Sequence, residues 1–255
     1  MELAEHTGEI DGLEIHWRSA GDREVLYVHG VPTASWDWLP FLERIGGVAP
    51  DLPGFGDSAK PGNFDYSLAG YDRFLEAFAD ALELDRMTLV VHDWGSVGLA
   101  FAQRFPERIE RLVLFSCVPL LSGYRWHPIA RIWRARGLGE LSMGLSSKWA
   151  FKRALPAELV DRTWEGWDHG TQRAILRLYR SAPEEELARA GERLGELRCP
   201  ALILWSTRDP YIGERFGPAY AEALGGEVTL ELVDAGHWSW LDRPELLERV
   251  ADFVG

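Results

Sequence analysis

Short apolar runs alternate with amphipathic stretches along most of this 255-residue chain. Runs that are only a few residues long and rich in branched aliphatic side chains are typical of strands buried on both faces. Such strands are predicted for VLYVH (25–29), the start of GGVAPDLPGFGDS (46–58), MTLVVHD (87–93), RLVLFS (111–116), PALILWS (200–206) and VTLELVD (228–234).

Stretches with apolar residues at helical spacing follow several of these runs. SLAGYDRFLEAFADAL (67–82) is predicted to be a helix with Ser67 as its N-cap. SVGLAFAQRF (96–105) and PELLERVADFV (244–254) are predicted helices as well, the latter with proline at its start. Strands that alternate with helices favour a mainly parallel sheet with helices on both faces, so we predict an α/β fold.

Residues 120–195 interrupt this alternation. The stretch has a helical pattern, is rich in tryptophan and arginine, and contains no good strand. We interpret residues 1–119 and 196–255 as one core domain and residues 120–195 as a helical insertion lying over the sheet. The arginine-rich part, ARIWRAR (130–136), has the pattern of a solvated helix face, and an anionic substrate is the alternative interpretation.

Composition narrows the class of partner. The formal net charge is -13, so we expect neither nucleic acid nor a membrane as partner. Cys117 and Cys199 are too few for a disulfide framework, and no cluster suggests a metal or another cofactor. No apolar run approaches the ~20 residues of a membrane span, so we expect a cytoplasmic protein. As to assembly, we expect a monomer or a homodimer. Twelve tryptophans, several between 126 and 167, predict a large apolar pocket or interface.

Three candidate acid–base residues directly follow three of the predicted strands. Asp93 ends LVVHD, Asp209 follows LILWSTR, and His237 follows LELVDAG. Because reactive groups gather beyond the carboxyl ends of strands in a parallel sheet, we expect these side chains to lie together. Their chain order is that of a nucleophile–acid–histidine triad on the α/β-hydrolase fold, with Asp93 in the nucleophile's position.

An aspartate in that position changes the chemistry of the triad. A carboxylate is ionised at neutral pH and can attack a saturated carbon without a base, leaving an ester on the enzyme. His237 would then activate water to hydrolyse the ester, while Asp209 would orient the imidazole and stabilise its charged form. Two alternatives stay open: Asp93 can cap a helix or turn, and Ser96 is a rival nucleophile.

Five motifs carry a family resemblance. HGVPTASWDW, DLPGFGDSAKP, VVHDWGS, LILWSTRDPYI and GHWSWLDRPE together resemble the α/β-hydrolase superfamily, and HDWG is similar to its aspartate-nucleophile branch of epoxide hydrolases and haloalkane dehalogenases. The resemblance covers nearly the whole chain outside 120–195, and it implies a core with a helical cap. It also implies an oxyanion hole formed by the backbone N–H groups of Val31 and Trp94, with a cis bond before Pro32. The elbow departs from the usual G-x-nucleophile-x-G pattern at Val91.

The leaving group separates the two activities within this branch. An epoxide alkoxide needs a phenol, and the resemblance points to Tyr179 in LYRSAP as the ring-opening acid. A second cap tyrosine would have to be Tyr124, the only other tyrosine between 120 and 195. A halide needs N–H donors, for which Trp94 is suited, although Val31 stands where many dehalogenases carry a side-chain amide. A second indole would come from the tryptophans at 126, 133, 149, 164 and 167.

Several other residues border the motifs. We expect Trp94, Tyr124, Pro32 and Trp238 to contact the substrate. His29 and His92 are interpreted as structural hydrogen-bonding histidines, and nothing in the sequence ranks the two histidines of 120–195, His127 and His169. No acid occurs in FSCVP (115–119), which excludes the dehalogenase subgroup that carries its triad acid there.

Three functions follow as hypotheses. The first is an epoxide hydrolase that converts a small hydrophobic epoxide to a diol, with Asp93 as nucleophile and Tyr179 as acid. The second is a haloalkane dehalogenase that uses Trp94 and a second tryptophan. The third is a protein that keeps the fold and only binds a small hydrophobic ligand, although such a protein would have no need for Asp209 and His237 at those positions.

Overall fold

The computed structural model describes all residues, 1–255, and contains one eight-stranded sheet. Across the sheet the order is β1-β2-β4-β3-β5-β6-β7-β8, with parallel pairing from β4 to β8 and antiparallel pairing of β1 with β2 and of β2 with β4. The mainly parallel sheet is therefore confirmed. The strands are β1 (Leu3–Ile10), β2 (Leu13–Ala20), β3 (Val25–Val28), β4 (Gly47–Pro50), β5 (Met87–Asp93), β6 (Ile109–Cys117), β7 (Ala201–Ser206) and β8 (Val228–Val233).

Twelve α-helices accompany the sheet. Ser67 caps α2 as predicted, because its side chain accepts a hydrogen bond from the Gly70 N–H at 3.1 Å. None of the helices has the length and apolar character that crossing a bilayer requires. The helices are α1 (Leu39–Arg44), α2 (Leu68–Ala81), α3 (Val97–Arg104), α4 (Pro128–Arg134), α5 (Leu138–Gly144), α6 (Lys148–Ala154), α7 (Ala157–Glu165), α8 (His169–Ser181), α9 (Glu184–Ala190), α10 (Phe216–Ala223), α11 (Ser239–Asp242) and α12 (Leu246–Val254).

The two faces of the sheet carry separate apolar cores. Along β5, Leu89 and Val91 belong to one buried cluster and Val90 to the other, as expected for a strand whose successive side chains point to opposite faces. Side chains of α2, α3 and α10 complete the first cluster, and side chains of α1 and α12 complete the second. This two-sided burial explains why the central strands carry continuous apolar runs, such as Leu89–Val91 in β5 and Leu112–Phe115 in β6.

The hairpin of β1 and β2 was not predicted from the sequence. Its outer strand, LAEHTGEI, has a single buried residue and carries several polar residues, so it lacks the apolar run of a buried strand. The sequence did contain a signal for the turn, the pair Asp11-Gly12. Both residues adopt positive φ in the structure, at 50° and 73°. An Asp-Gly pair between two strands is typical of a two-residue hairpin turn.

Residues 120–195 contain the six helices α4 to α9 and no strand, and they connect β6 to β7. The longest, α8, begins at an N-cap formed by Asp168, whose carboxylate accepts a hydrogen bond from the Thr171 N–H at 2.8 Å. Its buried side chains, among them Ile175 and Leu178, join the apolar cluster of the first sheet face. This helical segment therefore packs on the sheet and shares its core.

Candidate active site

A tight turn between β5 and α3 presents Asp93. The Asp93 backbone lies at φ 50° and ψ -122°, a conformation that L-residues rarely adopt and that costs about 1–3 kcal/mol. Gly95 makes the turn possible, because a Cβ there would lie 2.1 Å from the Val28 carbonyl oxygen. Gly98 on α3 leaves room for the Val91 side chain, where the elbow departs from the usual pattern, because a Cβ at Gly98 would lie 3.2 Å from that side chain.

The three predicted acid–base residues lie together beyond the carboxyl ends of β5, β7 and β8. His237 Nδ1 donates a hydrogen bond to Asp209 Oδ2 at 2.6 Å, and His237 Nε2 lies 3.5 Å from Asp93 Oδ2. The other oxygen of Asp209 accepts hydrogen bonds from the backbone N–H groups of Tyr211 and Ile212, at 2.7 and 3.0 Å. The arrangement orients His237 between two carboxylates.

These carboxylates control the charge of His237. Burial by itself would lower the pKa of the imidazole, but the charges and hydrogen bonds of Asp209 and Asp93 outweigh it and raise the pKa to about 10. For Asp93, burial by itself would raise the pKa, but the hydrogen bond and charge of His237 outweigh it, so the pKa of Asp93 is lowered. At neutral pH the resting site therefore holds an imidazolium beside an ionised Asp93.

The loop after β3 approaches the nucleophile closely. The Val31 N–H donates a hydrogen bond to Asp93 Oδ1 at 2.8 Å, and the Val31–Pro32 peptide bond is cis. Only glycine fits before Val31, because a Cβ at Gly30 would lie 2.4 Å from the Asp93 Cβ. This places one of the two expected oxyanion donors at the carboxylate, and the backbone N–H of Trp94 stays a prediction.

A cavity of about 410 Å³ opens beside the triad. Asp93 and His237 line it from the sheet side, together with Val31, Pro32 and Trp238, and the helical segment supplies most of the other walls. Thirteen of its 19 lining residues are hydrophobic, so the cavity is suited to an apolar molecule of modest size.

Tyr179 on α8 lines this cavity. Its ring packs perpendicular to the Trp94 ring, with centroids 5.0 Å apart. Burial raises the pKa of the phenol well above its ordinary value, so the hydroxyl stays protonated and can donate a hydrogen bond. Arg134 on α4 donates to the backbone carbonyls of Tyr179 and Ala182, which ties the two helices together near this side chain.

Two of the residues expected to contact the substrate, Trp94 and Tyr124, do not line the cavity. Tyr124 is buried against Trp126 and Phe216 and is absent from the cavity lining. The indole of Trp94 is also outside the lining, because it stacks on Trp126 at 5.3 Å and packs against Tyr179. The side chains of Trp94 and Tyr124 therefore pack behind the residues that line the cavity. Pro32 and Trp238 line the cavity itself.

The candidate second tryptophans separate into two groups. The Trp126 N–H donates to the Ala182 carbonyl at 3.1 Å and is not free for a ligand, and Trp149 is 66% exposed. Trp133 and Trp167 line the cavity, and the buried N–H of Trp167 has no hydrogen-bond partner. Trp167 is thus the indole best placed to serve as a second N–H donor.

The structure ranks the two histidines that the sequence left equal. His169 is exposed, whereas His127 lines the cavity. His127 Nδ1 accepts a hydrogen bond from the Ala130 N–H at 3.3 Å, so the ring proton resides on Nε2. Burial lowers the pKa of His127 to about 4, which keeps the imidazole neutral at pH 7. The sequence feature that could have indicated a defined position for His127 is the following Pro128, which is typical of the first position of a helix.

The other candidate residues of the motifs, His29, His92 and Ser96, are buried within the core. His29 Nε2 accepts a hydrogen bond from the Leu52 N–H at 2.9 Å, and His92 Nε2 donates to the His237 carbonyl at 3.0 Å. Ser96, the rival nucleophile, is fully buried and lies outside the cavity lining. These positions agree with the structural interpretation of both histidines and leave Asp93 as the nucleophile candidate.

A further buried acid, which sequence reasoning missed, lies next to the site. Asp37 Oδ2 accepts a hydrogen bond from the Trp238 indole at 3.2 Å, and its other oxygen has no partner. Burial raises the pKa of Asp37 to about 7. The Trp238 ring packs perpendicular to that of His237 at 4.7 Å, so Asp37 contacts the triad through this indole. The sequence did contain a feature that could have pointed to this buried acid, because Asp37 lies between two tryptophans in the segment WDW.

One group of potential metal ligands lies elsewhere in the fold, formed by His16, Asp51 and Asp57. Both oxygens of Asp51 are already used, since they accept hydrogen bonds from the backbone N–H groups of Ser35 and Asp57, and one of them contacts His16 at 3.2 Å. The cluster is accounted for as a hydrogen-bonded anchor of the loop after β4.

Comparison with known proteins agrees with this geometry. Residues 25–250 match the model of the alpha/beta hydrolase family. Haloalkane dehalogenase 1 of Mycobacterium bovis is 31% identical over 215 residues, which cover 76% of this chain and 70% of that protein. Haloalkane dehalogenase DbeA from Bradyrhizobium elkani superposes with a TM-score of 0.85 at 23% identity, over 99% of this chain and 98% of that one. The epoxide hydrolase CorEH gives 0.83 at 20% identity, again over 99% and 98%. The chain therefore belongs to the α/β-hydrolase family and is a hydrolase of its haloalkane dehalogenase and epoxide hydrolase branch.

Proposed function

We propose that the protein is an epoxide hydrolase that converts a hydrophobic epoxide to a vicinal diol through an ester on Asp93. The observation that carries this proposal is the pairing of two proton donors with the nucleophile in one cavity. Tyr179 and His127 line the same cavity as Asp93 and His237. Ring opening produces an alkoxide, which needs the strong O–H or N–H donors that these two side chains supply.

In the first step a carboxylate oxygen of Asp93 attacks an oxirane carbon. The new C–O bond replaces the ring C–O bond, and the departing oxygen takes a proton from Tyr179 while the His127 N–H hydrogen-bonds to it. The Val31 N–H on the other carboxylate oxygen, at 2.8 Å, supports the orientation of the nucleophile. Water does not compete with the carboxylate at this stage, because His237 is still an imidazolium and cannot act as a base.

Ester formation changes the charge of the site. Once Asp93 is esterified, one of the two carboxylates that raise the pKa of His237 is neutral, so that pKa falls and the imidazolium can lose its proton to restore the phenol of Tyr179. Neutral His237 then takes a proton from water, and the hydroxide attacks the ester carbonyl. Collapse of the tetrahedral intermediate releases the diol and regenerates the Asp93 carboxylate. Asp209, 2.6 Å from Nδ1, stabilises the imidazolium that forms again.

The division of labour within the chain is part of this proposal. Residues 1–119 and 196–255 act as the hydrolase core that carries Asp93, Asp209 and His237. Residues 120–195 act as a cap, which supplies Tyr179, His127 and most of the apolar wall. That α4, α5, α6 and α8 of this segment line the cavity together with Asp93 and His237 supports this assignment.

Haloalkane dehalogenation is the second candidate, and a specific observation favours it. The buried indole of Trp167 lines the cavity and its N–H has no hydrogen-bond partner, while the buried indole of Trp94 packs against Tyr179 in the cavity wall. Such weak donors stabilise a leaving halide, and the relative from Mycobacterium bovis is named a haloalkane dehalogenase. Epoxide opening ranks first because Tyr179 and His127 line the cavity, whereas Trp94 does not.

The first test is the intact mass of a His237→Ala variant after incubation with terminal epoxides and, separately, with haloalkanes. Without its base the enzyme should retain the ester on Asp93. A mass gain equal to the whole epoxide supports epoxide opening, and a gain equal to the alkyl group less one hydrogen, with halide release, supports dehalogenation. His169→Ala, which alters an exposed histidine, is the matched control and should accumulate no ester. An absence of adduct from both panels, with inactive wild type, would refute the alkyl-enzyme mechanism.

A second test separates the two leaving groups. Tyr179→Phe should slow ester formation from an epoxide by about 10²–10⁴-fold, the usual contribution of a general acid. Ester formation from a haloalkane needs no proton and should change by less than tenfold. Tyr124→Phe is the matched control, because this tyrosine is equally buried but lies outside the cavity. Equal rates for the Tyr179 variant and wild type on epoxides would contradict the role of the phenol.

A further inference from the structure

Most of the exposed large apolar side chains of the protein lie in one stretch of the chain, and three of them line the cavity. Six of them fall within residues 129–149, with exposed fractions of 39% to 72%, and only Met1 and Leu232 occur elsewhere. The six are Ile129, Ile132, Leu138, Leu141, Leu145 and Trp149. A concentrated apolar surface of this kind is unusual in a protein that has no partner for it.

The six side chains lie on three consecutive helices, α4, α5 and α6, or directly at their ends. Ile129, Ile132 and Leu145 also line the cavity, so they surround its opening. Leu138, Leu141 and Leu145 are spaced three and four residues apart, which places them on one face of α5 and its C-terminal end. Trp149 follows in the first turn of α6.

The charge around this surface is opposite to that of the whole protein. Residues 125–155 carry seven basic side chains and one acid, a net formal charge of +6, whereas the whole chain carries -13. The one acid, Glu140, is paired with Arg180, and only Lys148 of the basic residues has an acidic partner. Cations without an acidic partner in this stretch are Arg125, Arg131, Arg134, Arg136, Lys152 and Arg153.

Exposed apolar side chains surrounded by unpaired cations are complementary to an anionic bilayer surface. Apolar groups enter the boundary between headgroups and acyl chains, and basic groups attract the anionic headgroups. Trp149 carries both properties, since the Arg153 guanidinium lies 3.6 Å from the centroid of its ring. A second copy of the chain fits less well, because a two-fold contact through this surface would place two cationic surfaces opposite each other.

We propose that the surface formed by α4, α5 and α6 docks on anionic phospholipid membranes and holds the cavity mouth against the bilayer. The docking itself is independent of the proposed function. Its use, the capture of an apolar substrate dissolved in the acyl region, rests on that function. The expectation that no membrane surface is a partner was drawn from the net charge, which averages a cationic face with a strongly anionic remainder.

The test is co-sedimentation of the full-length protein with vesicles. Vesicles of phosphatidylcholine alone are compared with vesicles that contain phosphatidylserine, at low and high salt. Binding is expected to the anionic vesicles only and to weaken with salt. Arg136→Glu combined with Lys152→Glu should weaken binding at least about 30-fold, at roughly 1 kcal/mol per basic residue at the surface. Leu141→Ser combined with Trp149→Ser should also weaken it, by at least about tenfold.

Matched controls exist on the core domain. Leu232→Ser removes an exposed apolar side chain, and Arg198→Glu reverses an exposed cation, both outside the proposed surface. Neither should change binding. The four surface positions lie outside the cavity lining, so hydrolysis of a water-soluble epoxide should be unchanged in every variant, and this rate tests the proposed function separately.

Several outcomes would overturn the proposal. They are absence of binding to phosphatidylserine vesicles, equal binding to neutral vesicles, or an equal loss in the core controls. Dimerisation that the Trp149→Ser combination abolishes, without vesicle binding, would assign the surface to a second copy of the chain instead.

Discussion

Replacing Asp209 by asparagine is expected to stop the proposed reaction after its first half. Asp93 has its own contact with the Val31 N–H, so ester formation does not depend on Asp209. Hydrolysis of the ester does, because His237 must gain a proton in that step and Asp209 is the largest cause that raises its pKa. The variant should therefore accumulate the ester on Asp93.

The size of the effect follows from the contact between Asp209 and His237. The two atoms are 2.6 Å apart, and the Asp209 side chain is 0% exposed, so solvent cannot replace the lost charge. A hydrogen bond to a charged group contributes about 1.5–3 kcal/mol, which corresponds to a factor of about 10–150 in rate. An amide can also hold the imidazole with its proton on Nε2, where it cannot act as a base, and in serine-protease triads this change costs about 10⁴-fold. We expect hydrolysis to slow by about 10²–10⁴-fold.

Rapid-quench measurement of intact mass can follow both halves. Wild type should show little ester at steady state, whereas Asp209→Asn should reach nearly one ester per protein at a wild-type rate of formation. Asp234→Asn is the matched control, because this acid is exposed and pairs only with Arg208 outside the site. Turnover of the Asp209 variant within tenfold of wild type, with no ester accumulated, would refute the assignment of Asp209 as the orienting acid.

Two further predictions concern the packing and charge around the triad. Gly30→Ala would place a Cβ 2.4 Å from the Asp93 Cβ, so ester formation should be lost. The control Gly62→Ala, where a Cβ would meet no atom within 4 Å, should leave ester formation unchanged. Equal rates of ester formation in the Gly30 variant and the wild type would contradict the close approach of Gly30 to Asp93. Burial raises the pKa of Asp37 from 3.8 to about 7, so ionisation of this group lowers the free energy of unfolding as pH rises between those values, by on the order of 4 kcal/mol. Urea unfolding of Asp37→Asn should show its stability relative to wild type increasing from pH 4 to pH 8, and parallel pH curves would contradict this.

The main features of the fold could be predicted from local sequence patterns. Apolar runs of strand length predicted the buried strands, because a strand covered on both faces must be apolar at successive positions. The carboxyl ends of parallel strands share one edge, so the positions of Asp93, Asp209 and His237 along the chain were sufficient to predict that they lie together. The β1–β2 hairpin was missed, since an exposed edge strand has no such apolar run, although the Asp11–Gly12 turn carried a signal.

The sequence by itself thus determined the α/β fold, the order of the three acid–base residues and the helical character of 120–195. Tertiary packing decided which aromatic side chains reach the cavity: Tyr179 and His127 do, while Tyr124 is buried against Trp126. Both tyrosines have similar sequence surroundings of apolar and basic residues, and only the packing of six short helices determines which side chain faces the nucleophile. The raised pKa of His237 was also decided by tertiary packing, because it depends on the short distances to Asp93 and Asp209, which lie far from His237 in the chain.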